Sequence, residues 1–402
     1  MGHKAQKLIL HLGLAKTGSS ALQRCLAENK NLLMTHFNVL YPGKLDNHAL
    51  LQALFCESPE LIYQIQLLNL PNKIAIKRYV KNLREEFTKE IEAYKPNTII
   101  ISSEYFSSMT VNELNLMYVF FSSVASEIVI FSYIRDPWSY AVSYTQEMIR
   151  MGKLKREAQF GYAMSNLEIF NKFETAFDTK VIVAPYIGNL EKFNVVEDFF
   201  HRFDLDFTAV NKFEMGKYEN VNSKMSLQSA IALLQVNKLF PTFDEYDNYI
   251  KDDARDWLYD SLLEFKKSNL PIEMSLSSYE QIYTDSEVDL NKIYDRYFDD
   301  QLIFKNHYDS LEKKIFNDKL FLDRLTNEQL SDFLLKSMYG ISKKAVTNFK
   351  RYNDVVIENY FLTAKCKILS GEIEAGRHIL NEILNQHPEY IKAKDELSAL
   401  DG

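Results

Sequence analysis

Lys7-Leu8-Ile9-Leu10-His11-Leu12-Gly13-Leu14-Ala15-Lys16-Thr17-Gly18-Ser19-Ser20 is the stretch on which the fold turns. Lys7–Leu12 is a short apolar run that predicts a buried strand, and it ends in a Gly-containing loop, Gly13 to Gly18. Ser19–Asn29 then reads as a helix, with Leu22 and Leu26 four apart. A loop set between a strand and a helix offers unpaired backbone N–H groups and the positive end of a helix dipole, which together favour an anion such as phosphate. Lys16 adds a point charge, and Thr17, Ser19 and Ser20 add hydroxyl donors. In a Walker A loop, G-x-x-x-x-G-K-[ST], the Lys follows the second Gly. Here Lys16 precedes Gly18 by two residues and Ser19 stands in that Lys's place, which argues against a nucleotide triphosphatase.

Outward from this loop, short apolar runs alternate with helical patterns. Strands are expected at Thr98–Ile101, Glu127–Ile134 and Val181–Ala184, and helices at Arg78–Tyr94, Val111–Phe121, Trp138–Met151 and Val195–Phe203. Strands that are apolar throughout, not alternating, belong to a parallel sheet covered on both faces. The expected fold is α/β: a doubly wound parallel sheet with a P-loop-type phosphate loop, followed by an all-helical C-terminal region. After about residue 222 the strand signals stop, and Ser226–Leu239, Ala254–Ser268 and Leu290–Asp299 read as helices. The last ninety residues are nearly all helical in pattern, so a main domain over residues 1–312 and a helical tail over 313–402 are expected. Near 355–400, the spacing of Ala364, Leu369, Gly371, Ala375, Leu380, Leu384 and Pro388 is tetratricopeptide-like, two helices joined at Gly and closed by Pro. The alternative is a helical tail packed on the main domain.

A chain of 402 residues suggests two or three units, and 46% hydrophobic with 25% charged residues is ordinary globular usage. The net charge of −8 weighs against nucleic-acid binding, without excluding a locally positive cradle. Cys25, Cys56 and Cys366 form neither a disulfide framework nor a C-x-x-C pair, which fits a reducing compartment. The eight histidines and three cysteines show no metal-ligand spacing, so no metal is expected. The N-terminal apolar stretch is broken by His11 and lacks a cleavage site, and no run reaches the ~18 apolar residues of a transmembrane helix. A cytoplasmic protein is expected.

Two segments carry a resemblance to a family. His11–Gln23, with Gly13, Lys16, Thr17, Gly18, Ser19 and Ser20, resembles the 5′-phosphosulfate loop of sulfotransferases that use 3′-phosphoadenosine 5′-phosphosulfate (PAPS), especially bacterial carbohydrate-type members. Val129–Tyr144, a strand ending in Arg135-Asp136-Pro137 with Ser143 eight positions after the Arg, is similar to that family's 3′-phosphate segment. Fainter likenesses lie at Tyr41-Pro42-Gly43 with Asn47-His48, at Ser102-Ser103-Glu104, at Pro185-Tyr186 with Asp198-Phe199-Phe200, and at Asn220–Ser223, so the resemblance covers roughly residues 5–240, and at most to about 310, with a PAPS-binding core over about 5–240. Ala15 and Ser19 depart from the commoner Pro and Thr. The resemblance implies sulfuryl transfer from PAPS to a hydroxyl or amine of an acceptor, a carbohydrate or glycolipid, with 3′,5′-bisphosphoadenosine as product. It implies that Lys16 stabilises the departing bisphosphate and that Arg135 and Ser143 hold the 3′-phosphate. The base would be Glu104, with His48 orienting the acceptor, or the two with roles exchanged. Two other readings are a non-catalytic nucleotide-binding or partner-docking protein on the same fold, and a P-loop kinase or hydrolase. The helical tail would serve a protein partner or self-association.

Overall fold

The computed structural model describes residues 3–43, 45–154, 165–187, 193–205, 225–239, 241–242, 276–299, 304, 357–368 and 372–401. Five parallel strands form one sheet: β1 (Ala5–Leu12), β2 (Val39–Leu40), β3 (Thr98–Ser103), β4 (Ala125–Arg135) and β5 (Ile182–Tyr186), in the order β2-β3-β1-β4-β5. With all strands parallel, their carboxyl ends share one edge. Leu12 lies opposite Ser103 on one side and Ser132 on the other. The loop after β1 therefore begins beside Glu104, while β4 climbs three residues further before ending at Arg135, opposite Tyr186.

Ten helices surround or follow the sheet among the residues used below: α1 (Ser19–Glu28), α2 (Lys30–Phe37), α3 (Tyr63–Gln66), α4 (Lys73–Tyr94), α5 (Val111–Val124), α6 (Pro137–Arg150), α7 (Asn166–Phe177), α8 (Val195–Arg202), α9 (Leu227–Leu239) and α10 (Leu276–Tyr297). Ile9, Ile100, Phe131, Tyr133 and Ala184 form one apolar layer with Leu22, Cys25 and Leu26 of α1, Leu33 of α2, and Val196, Phe199 and Phe200 of α8. The intervening side chains, Leu8, Leu10, Leu12, Ile99, Ile101 and Ile130, are buried as well. Both faces of the central strands are thus out of water, which is why they read as unbroken apolar runs. Each such side chain contributes about 1.5–3 kcal/mol of transfer free energy.

Element ends follow local chemistry. α4 starts five residues earlier than its apolar periodicity predicts because the Asn72 side chain accepts a hydrogen bond from Ala75 N. A capping box, Thr110 with Glu113, starts α5. Asp136 caps α6 and Pro137 occupies its first turn. α2, α7 and the two-residue β2 were not predicted; β2 is too short to carry a pattern, but α7 carries a helical one, with Ile169, Phe170, Phe173, Ala176 and Phe177 on its buried face and the Ser165 side chain accepting from Glu168 N.

The chain divides into two compact units, Met1–Met225 with Pro271–Leu325, and Ser226–Leu270 with Thr326–Gly402. The expected boundary near residue 312 falls among residues that are not described, as does the expected helix Ala254–Ser268. In the second unit, helix α11 (residues 357–368), α12 (Ile373–Gln386) and α13 (Ile391–Asp401) bury Phe361, Ala364, Leu380, Ile383 and Ala393 together. The close crossing of α11 and α12 is made by Gly376: a Cβ there would stand 2.5 Å from Ile368 Cγ1 and 2.9 Å from the Ala364 carbonyl. The repeat-like spacing is therefore one residue out of phase, since Ala375 is exposed and Gly376 is the small residue at the crossing. Leu369 and Gly371 lie outside the described residues.

Candidate functional site

The loop after β1 turns sharply and stays close to the neighbouring strand. Leu14 N donates to Leu12 O at 2.8 Å, and Gly13 N to Ser103 O at 3.2 Å, so the turn leaves β1 tightly against β3. Lys16 has φ 65° and Gly18 φ 79°, two left-handed residues within three. A left-handed Lys costs about 1–2 kcal/mol, held here by the surrounding structure. Gly18 caps α1 without a side-chain hydrogen bond, leaving the first-turn N–H groups uncapped by the chain's own side chains. Glycine is needed there: a Cβ would sit 2.9 Å from Tyr186 Cε2 and 3.0 Å from Val195 Cγ1. At Gly13 a Cβ would crowd Ser19 Cβ at 3.0 Å. Of the three hydroxyls expected to donate to a ligand, one is engaged within the loop itself. Thr17 is buried and its Oγ1 donates to Leu14 O at 2.6 Å, so it shapes the loop; Ser19 is buried at the helix start, and Ser20 is exposed.

Arg135 locks this loop to the end of β4. Its Nη1 donates to the Lys16 carbonyl at 2.8 Å, its Nε to Ser139 Oγ at 2.9 Å, and its guanidinium lies 5.3 Å from the Tyr186 ring centroid. Burial lowers its pKa and Asp136 opposes that, and a guanidinium stays charged regardless. Nη2 has no partner among the described residues. Ser139, not Ser143, is the hydroxyl on Arg135; Ser143 is half-buried one helical turn further along the same face of α6. One turn beyond that comes Glu147. Its Oε2 accepts from Lys16 Nζ at 3.0 Å and from Arg150 Nη1 at 3.1 Å. Leu14, Ala15, Thr17, Ile134, Arg135, Tyr140 and Asn166 line a small recess beside the loop.

Glu104 follows β3 at the rim and is exposed. Partial dehydration raises its pKa above the usual carboxylate value; the Lys16 ammonium opposes this and the Glu147 carboxylate adds to it. Lys16, Glu104, Glu147 and Arg150 thus form one cluster of two cations and two anions.

His48 belongs elsewhere. It is buried, its Nδ1 accepts from Ser102 N at 3.0 Å, and its Nε2 donates to Pro42 O at 2.9 Å. Burial lowers its pKa to about 4. Both ring nitrogens being taken by the main chain, this imidazole ties Pro42 to β3 and has none left to orient an acceptor or collect its proton. Sequence reasoning placed it at the site because an imidazole titrates near neutrality in water; burial removes that property here.

Ser139, Glu147 and Tyr186 were missed as site residues, Tyr186 having been noted only within a faint family likeness. Their signal was present for two of them: Ser139, Ser143 and Glu147 recur at four-residue intervals on one stripe of a predicted helix that starts beside Arg135.

Compared with known proteins, the chain matches no family model, no curated protein and no solved structure. Among the described residues no helix is long and apolar enough to cross a membrane, and no group of three or more His, Cys, Asp or Glu could hold a metal ion.

Proposed function

We propose that the protein is a PAPS-dependent sulfotransferase, acting on a hydroxyl or amine of a carbohydrate or glycolipid acceptor in the cytoplasm. On this reading the sheet is doubly wound and Gly13–Gly18 is its P-loop-type phosphate loop. The observation that carries the proposal is the junction of three strand ends: Arg135 of β4 bonded to the Lys16 carbonyl of the β1 loop, with Lys16 in the electrostatic field of Glu104 after β3. Open α/β sheets place their ligands at this edge.

The donor set suits an anion with two separated phosphate-type groups. The uncapped first turn of α1, the loop backbone and Lys16 offer one cradle. The planar fork of Arg135, with Nη2 to spare, and Ser143 further along α6 offer a second. PAPS, when bound, supplies an activated sulfuryl group. Lys16 lends positive charge where a leaving oxygen develops negative charge, the electrostatic contribution that transfer between oxygens most requires. Glu104 takes the acceptor's proton, and its raised pKa makes it a stronger base than an ordinary carboxylate. His48 supports this geometry from behind, through Ser102, two residues before Glu104.

The test is direct. Purified protein is titrated with 3′,5′-bisphosphoadenosine by calorimetry, then assayed with sulfur-labelled PAPS against a panel of glycans, glycolipids and small phenols. Binding in the micromolar range, with label transferred by the wild type and not by Glu104→Gln, is expected. Absence of nucleotide binding sinks the proposal. Binding with no transfer to any acceptor, even in crude acceptor extracts, favours a non-catalytic nucleotide-binding protein.

A further inference from the structure

Glu147 has no part in the roles above, yet it holds the one side-chain cation that the loop offers. Its Oε2 is 3.0 Å from Lys16 Nζ and 3.1 Å from Arg150 Nη1, so a single carboxylate oxygen bridges two cations. All three side chains are largely sheltered, Lys16 at 20% and Glu147 and Arg150 each at 30% exposure, so the pairing is less screened than an ordinary surface ion pair. Lys16 sits on a left-handed loop residue whose carbonyl is clamped by Arg135, which limits where its ammonium can go. An anion entering the loop must therefore compete with Glu147 for Lys16.

We propose that Glu147 is an exchangeable counter-ion for Lys16: it positions the ammonium while the loop is empty, yields it to an incoming phosphate- or sulfate-type anion, and passes to Arg150. Arg150 lies one helical turn along α6 and already touches the same oxygen, so the hand-over needs the loss of one contact and no movement of the helix. The exchange biases the site toward polyanions. A weak monoanion gains too little from Lys16 to displace a sheltered carboxylate, while a group with several charged oxygens also collects the loop N–H donors. Glu147 is thus a positioning and selectivity residue, acting through Lys16. The proposal rests on the loop being an anion site, and it names the residue that regulates that site.

Affinities for inorganic pyrophosphate and for 3′,5′-bisphosphoadenosine, measured by calorimetry on the full chain, test it in opposite directions. Glu147→Gln removes the competitor and is expected to tighten both ligands about tenfold. Arg150→Met removes the alternative partner, leaves Glu147 to Lys16 alone, and is expected to weaken both about fivefold. The double variant should follow Glu147→Gln. Turnover supplies a second readout: Glu147→Gln should lower KM for the nucleotide and lower kcat, because the ammonium is then less well placed. Should Glu147→Gln fail to fold, Glu147→Asp, too short to bridge both cations, is expected to tighten binding two- to threefold. If Glu147→Gln and Arg150→Met both weaken binding, the residues are a structural pair and the exchange is wrong. If the wild type and Glu147→Gln alike bind neither probe, the anion-site reading itself fails, an outcome distinct from wild-type binding that Glu147 does not influence.

Discussion

At the scale of single residues, Lys16 and Arg135 do different work on the same loop. On the proposed sulfotransferase reading, Lys16→Ala removes charge at the leaving oxygen and is expected to lower kcat by about a thousandfold while leaving the thermal transition within a few degrees. A variant with near-wild-type turnover would end the assignment. Arg135 contacts the Lys16 carbonyl and, on the proposed reading, also offers a nitrogen to a phosphate, so Arg135→Ala should weaken both 3′,5′-bisphosphoadenosine and adenosine 5′-phosphosulfate. Ser143→Ala should weaken only the ligand that bears a 3′-phosphate. Calorimetry with the two ligands separates a loop clamp from a phosphate contact. His48 makes a prediction about stability. Its pKa falls from 6.5 to about 4 on folding, so the unfolded chain binds the extra proton, and stability is complete above pH 6.5 and declines as pH falls toward 4. The loss attributable to this one group is about 3 kcal/mol. Buried His11, lowered to about 3, acts in the same direction. His48→Gln should be less stable at pH 7 yet lose less between pH 7 and 5, read from urea midpoints; an unchanged pH slope would mean that His48 is not the titrating group.

At the scale of elements, the site depends on a strand–loop–helix transition whose conformation only certain residues tolerate. Gly18 ends the loop at φ 79° with Tyr186 and Val195 against its hydrogen atoms. Gly18→Ala adds about 1–2 kcal/mol of left-handed strain, to which the contact with Tyr186 adds more. The expected result is a Tm lowered by several degrees together with nucleotide affinity reduced at least tenfold, since β5 and α8 must shift away from the loop. Unchanged affinity would show that the α1 N-terminus is not part of the site. The apolar runs of β1, β3 and β4 and the positions of Gly13 and Gly18 are local signals, so the strand–loop–helix unit and the emergence of Arg135 at a strand end were readable in the sequence. α7 was missed although its Ser165 cap and the helical spacing from Ile169 to Phe177 are local signals; what only packing decides is that it meets α5 and α10, neither adjacent to it in the chain.

At the scale of the whole molecule, the second compact unit takes Ser226–Leu270 from the middle of the chain and joins it to Thr326–Gly402. A chain ending at Leu325 would strip that middle segment, with α9 and its buried Ala230, Ile231 and Leu233, of the rest of its unit. The truncated protein is expected to aggregate on expression or to bind a hydrophobic dye strongly. A soluble, monomeric product with an unchanged Tm would instead make Thr326–Gly402 a dispensable appendage.

What the sequence determined by itself is whatever depends on neighbours along the chain: the buried parallel strands, the glycines that let a loop turn into α1, and the Asp-Pro start of α6 beside Arg135. Tertiary structure alone decided which of the chemically able side chains share a site. Lys16 and Glu147 are 131 residues apart, and no periodicity within α6 says that its Ser139–Ser143–Glu147 stripe faces the β1 loop. Likewise His48 and Glu104 look equally suited to proton transfer as residues in a list. Burial against Ser102 and Pro42 withdrew one from solution chemistry, and a place at the open edge of the sheet left the other in it, because desolvation and hydrogen-bond saturation are properties of a position in space.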